Sequence, residues 1–148
     1  FVNIQGDEPL INPDAIDTLV EQFDKSIGIG NAYVYVNDNY KLHDSNVVKV
    51  VTDLSNNAVY YSRFGIPFHK KEEVPFKQQL GLYAFNRHML ELFIELEVGE
   101  LEKAESVEML RYIENGFAVK MIEVEDHGLS VDTEDDLKRV EEFLNAYN

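Results

Sequence analysis

The sequence contains no cysteine, which excludes disulfide bridges and thiolate zinc sites. A chain without cysteine fits the reducing cytoplasm, and we expect a cytoplasmic location. The sequence also lacks any apolar run near the roughly 18 residues that a membrane-spanning helix needs. No membrane segment is therefore predicted.

Positive charge is scarce. There are 13 Lys and Arg residues against 28 Asp and Glu residues, and the formal net charge is −15. Nucleic acids and anionic membrane surfaces are bound by basic patches, so neither is a predicted partner. An anionic substrate would have to be held by metal ions or by a few well-placed cations.

Several catalytic patterns are missing as well. The sequence has no glycine-rich phosphate loop and no defensible Ser-His-Asp arrangement. The four histidines lie far apart without metal-ligand spacing, and we expect exposed or ordinary structural roles for them: His43, His69, His88 and His127.

The hydrophobic content of 45% is enough for one domain with a core over residues 1–148. Apolar spacing predicts helices after Asn12, over residues 87–96 and 101–115, and after Thr133, where Asp136 completes a capping box. β-rich runs predict strands over residues 1–4, 32–36, 47–51, 58–63, 79–85 and 117–124. The alternation, with a hairpin at 47–63, predicts an α/β fold with a mixed sheet, flanking helices and an inserted antiparallel hairpin.

The first strand ends in a polar loop that carries Gly6, Asp7 and Glu8. In open α/β sheets, ligands bind beyond the carboxyl ends of the strands, and a carboxylate there can hold Mg²⁺ against phosphates. An acidic surface turn explains the same residues. Asp132 is a second candidate ligand. It lies before Thr133, outside the last helix, so helix capping does not readily explain it. If the first strand and the strand at 117–124 are neighbours, Asp7 and Asp132 face one crevice.

Other charged residues remain open at this point. Arg63 follows a tyrosine pair at a strand end, where it can grip a carboxylate or lie on the surface. Glu102, Glu105 and Glu108 are spaced by three residues, with Arg111 three further on. A solvated stripe with an i,i+3 ion pair is the favoured interpretation of this pattern.

Six stretches occur in an order that resembles the 3-deoxy-manno-octulosonate (Kdo) cytidylyltransferase family: VNIQGDEPLI, VVKVVTD, AVYYSRFGIPF, LGLYAF, LEKAESVEMLR and SVDTEDDL. The resemblance implies a nucleotide-diphospho-sugar transferase-like fold and a homodimer. It further implies Mg²⁺-dependent transfer of CMP from CTP to Kdo, with release of pyrophosphate, in lipopolysaccharide or capsule synthesis.

The resemblance also implies site residues. Asp7 and Asp132 match the metal ligands, and Gln5 matches a glutamine between nucleotide and sugar. The positions that match sugar contacts are Arg63, Gln79, Tyr83, Glu108 and Met109.

Three departures from the family pattern stand out. The family's phosphate-gripping loop is absent, and we expect the sequence to lack the N-terminal part of a longer protein. Gln78-Gln79 replaces a basic residue and a histidine, and Met109 replaces a glutamine. These changes favour Kdo or a related sugar acid with a different tail. A non-catalytic remnant and an acidic metal-binding module are the alternatives.

Overall fold

The computed structural model describes residues 1–68, 70, 74–125, 129–131 and 133–146. The strands are β1 (Val2–Ile4), β2 (Ile29–Val36), β3 (Lys49–Thr52), β4 (Ala58–Ser62), β5 (Phe76–Phe85) and β6 (Lys120–Glu123). The helices are α1 (Pro13–Gln22), α2 (Asn39–His43), α3 (Arg87–Glu95), α4 (Glu100–Glu105), α5 (Met109–Glu114) and α6 (Glu134–Ala146). In the part of the chain that these ranges cover, no helix is long and apolar enough to cross a bilayer.

The strands form one mixed sheet in the order β4-β3-β5-β2-β6, and β1 pairs with β5 beside this path. Strands β2 and β6 are parallel, whereas the other pairs are antiparallel. The predicted hairpin is present as β3 and β4. The α/β fold with a mixed sheet is therefore confirmed.

Hydrophobic residues cover both faces of the sheet, as expected for a sheet between helices. On one face, Ala15 and Leu19 of α1 pack with Leu80 and Leu82 of β5. On the other face, Tyr112 of α5 belongs to a larger cluster that includes these buried side chains of α3 and the sheet: Met89, Tyr33, Val50, Tyr61, Tyr83 and Phe85.

An irregularity in β5 opens the ladder between β2 and β5. Asn31 pairs with Tyr83, but Tyr33 pairs with Gln79, so β5 carries two extra residues in this interval. The buried side-chain amide of Asn31 donates to the carbonyls of Leu80 and Leu82, at 2.9 and 3.1 Å. These bonds satisfy carbonyl groups that the interrupted ladder leaves free.

The cap predictions are confirmed. The side chain of Asn12 accepts from the Asp14 amide at the start of α1. Thr133 and Asp136 exchange capping-box hydrogen bonds at the start of α6. The apolar face predicted for α6 is only partly buried, because Val140 is buried while Leu137 is exposed.

One prediction about the chain path is wrong, and one condition is not met. Residues 101–115 form two helices, α4 and α5, because Ser106 adopts a left-handed conformation with φ 53°. The three glutamates therefore do not share one solvated stripe, and Arg111 pairs with Glu102 rather than with Glu108. The condition that β1 neighbours β6 is also not met, because β1 pairs with β5 and β6 with β2.

Candidate functional site

Strands β1 and β3 pair with the same edge of β5, one after the other along it, and a polar cleft lies between them. Strand β1 ends opposite Leu82, and β3 begins opposite Gln78. The intervening β5 residues are bonded to the segment after β1 and to the segment before β3. The Gln5 amide donates to the Gly81 carbonyl at 2.8 Å, and the Gln79 amide donates to the Val48 carbonyl at 2.9 Å. The cleft is therefore at the carboxyl end of β1, as predicted.

The cleft has a volume of about 370 Å³. Three segments and β5 surround it, together with Arg63 and Ser130. The segments supply these residues: Gln5, Asp7 and Glu8; Asn46, Val47 and Val48; and Ser106, Val107 and Glu108. Strand β5 contributes Gln78, Gln79, Gly81 and Tyr83. Seven of the eight predicted site residues lie in described segments, and the structure brings six of those seven together here.

The loop that carries Asp7 is packed directly on β5 because residue 81 is glycine. A Cβ atom built on Gly81 would lie 2.7 Å from Gln5 Oε1 and 3.2 Å from Glu8 Cγ. The Gly81 amide also donates to Glu8 Oε1 at 3.2 Å. A glycine is thus required for this close approach of loop and strand.

Two polar atoms in the cleft are buried without a protein partner. They are Asp7 Oδ1 and Gln78 Oε1, and the only comparable atom among the described side chains, Asn57 Oδ1, lies outside the cleft. A buried oxygen without a hydrogen bond is costly. Two such acceptors in one cleft indicate a ligand that brings donors or a cation.

Gln79 and Tyr83 form a pair inside the cleft. Gln79 Nε2 donates to the Tyr83 hydroxyl oxygen at 2.7 Å, which leaves the hydroxyl hydrogen free for another acceptor. Burial is the main cause that raises the pKa of Tyr83; the hydrogen bond from Gln79 partly offsets it, and the charges of Glu108, Asp7 and Glu8 raise the pKa further. The phenol is therefore neutral near pH 7 and can donate to a ligand oxygen.

Arg63 reaches the cleft, but its guanidinium group already binds backbone carbonyls. Arg63 Nη1 donates to Ser45 O at 2.9 Å, and Nε donates to Glu105 O at 2.7 Å. The Arg63 amide and the Ser62 hydroxyl donate to the Glu105 carboxylate, both at 2.8 Å. Burial raises the pKa of this carboxyl, but these hydrogen bonds and that of Tyr60 outweigh it and lower the pKa below its usual value.

Two predicted site residues are not among the described residues that line the cleft. Met109 is 3% exposed and belongs to the core, because it begins α5 on the side that faces the sheet. We therefore propose no substrate contact for it. Asp132 lies outside the described residues, as do His69 and His127. The amide of Val131, the preceding residue, donates to the Asp7 carbonyl at 2.8 Å.

The sequence of this chain is similar to known proteins over its whole length. The profile of the cytidylyltransferase family matches residues 1–126. The chain belongs to the cytidylyltransferase family. It is 42% identical over 150 residues to a 3-deoxy-manno-octulosonate cytidylyltransferase of Solibacter usitatus, covering 99% of the chain and 60% of the relative. A protein of the same description from Koribacter versatilis is 36% identical, covering 100% of the chain and 57% of the relative.

The fold also matches a solved structure. A CMP:2-keto-3-deoxy-manno-octonic acid synthetase complexed with CTP superposes with a TM-score of 0.89 and 29% sequence identity. The superposition covers 99% of this chain and 62% of that one. The chain thus spans about three fifths of the length of the relatives it matches.

The lining of the cleft is acidic. Asp7, Glu8 and Glu108 face Arg63 as the only basic side chain among the described lining residues. An anionic ligand is therefore repelled unless a cation accompanies it. This charge pattern fits an ion such as Mg²⁺, which binds carboxylate and phosphate oxygens together.

Two buried polar residues that shape the site are not predicted from the sequence. Asn31 supports β5 at Leu80 and Leu82, and Lys49 lies fully buried at the start of β3. The signal for Lys49 was a single charge inside an apolar run of valines, VVKVV. A buried lysine is costly unless it is hydrogen-bonded, so a lysine at that position indicates acceptors close to its ammonium group.

Proposed function

We propose that this chain forms the sugar-acid and metal site of an enzyme that transfers CMP from CTP to Kdo or a related sugar acid, releasing pyrophosphate. The observation that carries this proposal is the buried, unpartnered Asp7 Oδ1 in a polar cleft beyond β1. The functions of the relatives supply the reaction.

We propose Asp7 and Asp132 as ligands of Mg²⁺. An unpartnered carboxylate oxygen is the donor type this ion prefers, and the Val131–Asp7 bond brings the chain next to position 132 toward Asp7. Among the described residues, no three acidic, His or Cys side chains form a ready-made metal cluster. This fits an ion held by one or two carboxylates plus substrate phosphates. When bound, Mg²⁺ supplies neutralisation of phosphate charge and a lower pKa for the attacking hydroxyl.

The remaining polar residues would hold the sugar acid. Tyr83 donates through its hydroxyl, which Gln79 orients, and Gln5 supplies an amide beside Asp7. Glu108, which is exposed at the start of α5, accepts from sugar hydroxyls. Catalysis in this scheme rests on placing the anomeric hydroxyl in line with the α-phosphorus of CTP.

Three wider features are proposed on the resemblance. The residues that bind the CTP triphosphate belong to the part of the relatives that this chain does not match. The complete enzyme is a homodimer, and it acts in the cytoplasm. Sedimentation of the complete protein tests the dimer, and a purely monomeric enzyme contradicts it.

The test measures pyrophosphate release with CTP, Mg²⁺ and Kdo, and in parallel with the 8-amino analogue of Kdo. It uses the 148-residue chain alone and the same chain joined to the unmatched part of the Solibacter usitatus relative. Release by the joined protein with either sugar supports the proposal, and the preferred sugar reports on Gln79. If the joined protein releases no pyrophosphate and the chain binds neither sugar, the cleft is not the proposed site and a non-catalytic remnant is favoured.

A further inference from the structure

Lys49 is a buried cation whose partners are all backbone carbonyls. Its side chain is fully buried, and Nζ donates to Asp44 O at 2.8 Å, Val47 O at 2.7 Å and Arg63 O at 2.6 Å. An ammonium group has three hydrogens, so every donor of Lys49 is used. Two of its acceptors, Asp44 O and Val47 O, are the ends of the turn at residues 44–47, which overlaps the cleft-lining segment 46–48.

Arg63 also binds this turn, and it binds a second segment that leads into the cleft lining at residues 106–108. Its Nη1 donates to Ser45 O, whereas Nε and Nη2 donate to Glu105 O and Ser106 O, the latter at 3.4 Å. The carbonyl of Arg63 is in turn an acceptor of Lys49. The two cations therefore connect the ends of two segments that line the cleft, 46–48 and 106–108.

We propose that Lys49 and Arg63 form an internal clasp that sets the separation of these two segments, with Lys49 as a positioning residue for the sugar acid. This inference rests on the proposed function of the cleft. Lys49 has no exposed surface, so it does not touch a ligand and acts only through the carbonyls it binds. Arg63 then serves first as a support for the cleft, since three of its five N–H donors are directed to backbone carbonyls.

The clasp holds the turn at residues 44–47 together with two local hydrogen bonds, from the Asn46 amide to Asp44 Oδ1 at 2.9 Å and from the Asp44 amide to Lys41 O at 3.3 Å. Residues 43–46 are exposed, and Val47 and Val48 are half-buried, so hydrophobic burial contributes little there. In such a segment, local opening is governed by the few hydrogen bonds that hold it. Loss of the Lys49 donors is therefore expected to loosen the turn without unfolding the sheet.

The test compares Lys49→Met with Lys120→Met. Lys120 Nζ also donates to a backbone carbonyl, that of Ser55, but in the turn between β3 and β4, outside the cleft. In ligand-free Lys49→Met we expect the two hydrogen-bonded amides of this turn, those of Asp44 and Asn46, to exchange about tenfold faster or more. Its Kd for Kdo is expected to rise about tenfold, because the binding geometry is no longer preorganised. Lys120→Met is expected to change neither quantity.

A general loss of stability is separated from loss of positioning by Val140→Ala, which removes buried α6 contacts away from the cleft. We expect it to lower Tm without changing the Kd for Kdo. Unchanged exchange at 44–47 in Lys49→Met overturns the clasp. Faster exchange with an unchanged Kd overturns the positioning role.

If Lys49→Met does not fold, exchange in ligand-free Arg63→Gln decides the same point. Faster exchange in both 44–47 and 105–107 supports the clasp, and unchanged exchange in these segments overturns it. If the unaltered chain binds no Kdo, the proposed function fails, whereas the exchange comparison still decides whether the clasp exists.

Discussion

The guanidinium group of Arg111 donates two hydrogen bonds to the carboxylate of Glu102, from Nε at 2.7 Å and from Nη2 at 2.6 Å. The two side chains are only 13% and 9% exposed, and Arg111 also lies over the ring of Phe93. This pair joins α4 to α5 across the break at Ser106. Removal of one partner leaves a buried charge without its counterion.

We therefore expect Glu102→Gln to lower the free energy of unfolding by about 3 kcal/mol. The matched control is Glu91→Gln, because Glu91 pairs with Arg87 at 2.7 Å on the surface. The control is expected to change stability by less than about 0.5 kcal/mol. Urea unfolding of both variants measures the difference, and equal losses contradict the buried role of the Glu102 pair.

Gly81→Ala is expected to displace the loop that carries Asp7. The added Cβ would lie 3.0 Å from Gln5 Cβ and 3.2 Å from Glu8 Cγ, besides 2.7 Å from the rotatable Gln5 Oε1, so the loop must give by a few tenths of an ångström. We expect Mg²⁺-dependent Kdo binding to weaken about tenfold or more, since the metal ligand moves with the loop. Gly6→Ala is the control, because a Cβ there meets nothing within 4 Å. Similar binding by the two variants, measured by calorimetry, argues against the role of Gly81.

Asp7→Asn is expected to abolish pyrophosphate release while the fold remains intact. The substitution keeps the size of the side chain but removes the negative charge that we propose binds Mg²⁺. Asp17→Asn, on the exposed side of α1, is expected to retain full activity. Both variants are assayed in the joined protein, with circular dichroism as the check of folding. An active Asp7→Asn enzyme removes Asp7 from the metal site.

Glu105 makes the stability depend on pH in a defined direction. Hydrogen bonds lower the pKa of its carboxyl in the folded chain below its usual value of 4.5. Because the pKa of Glu105 is lower in the folded chain than in the unfolded chain, its carboxylate stabilises the fold fully at a pH above the unfolded-chain pKa. That stabilisation is lost as the pH falls through the pKa that Glu105 has in the folded chain.

The expected result is that the Tm difference between the unaltered protein and Glu105→Gln is largest near neutral pH. It then shrinks between about pH 5 and about pH 3. Thermal melts across this range measure it. A Tm difference that stays constant, or grows, on acidification contradicts the lowered pKa.

Local sequence signals predicted most of the elements. The β3–β4 hairpin has its own turn chemistry, since the carboxylate of Asp53 accepts from the Ser55 and Asn57 amides at 2.8 Å. Asn12 and Thr133 likewise cap their helices with side chains close in sequence. Such contacts are visible in the sequence because both partners lie within a few residues.

Contacts between distant segments were not visible in the same way. Ser106 breaks a helix although no glycine or proline marks the position, and the carbonyls beside it are bound by Arg63, which follows β4. The position of Met109 follows from that break. The pairing of β1 with β5 likewise depends on Gly81, whose close neighbours come from the first loop. The resemblance singled out six residues that the structure places in one cleft, but their hydrogen-bond partners were visible only in the structure.

The end-to-end placement of β1 and β3 on β5 has a consequence for how the chain folds. The bond between Gln5 and Gly81 joins residues 76 positions apart, the difference of 81 and 5. Contacts of such high sequence separation form slowly, because a long loop must close first. The cleft is therefore complete only where segments distant in the sequence have come together, and a ligand that contacts its whole lining selects such molecules. Such a ligand stabilises the folded state of the whole domain. The melting temperature is then expected to rise with the logarithm of ligand concentration.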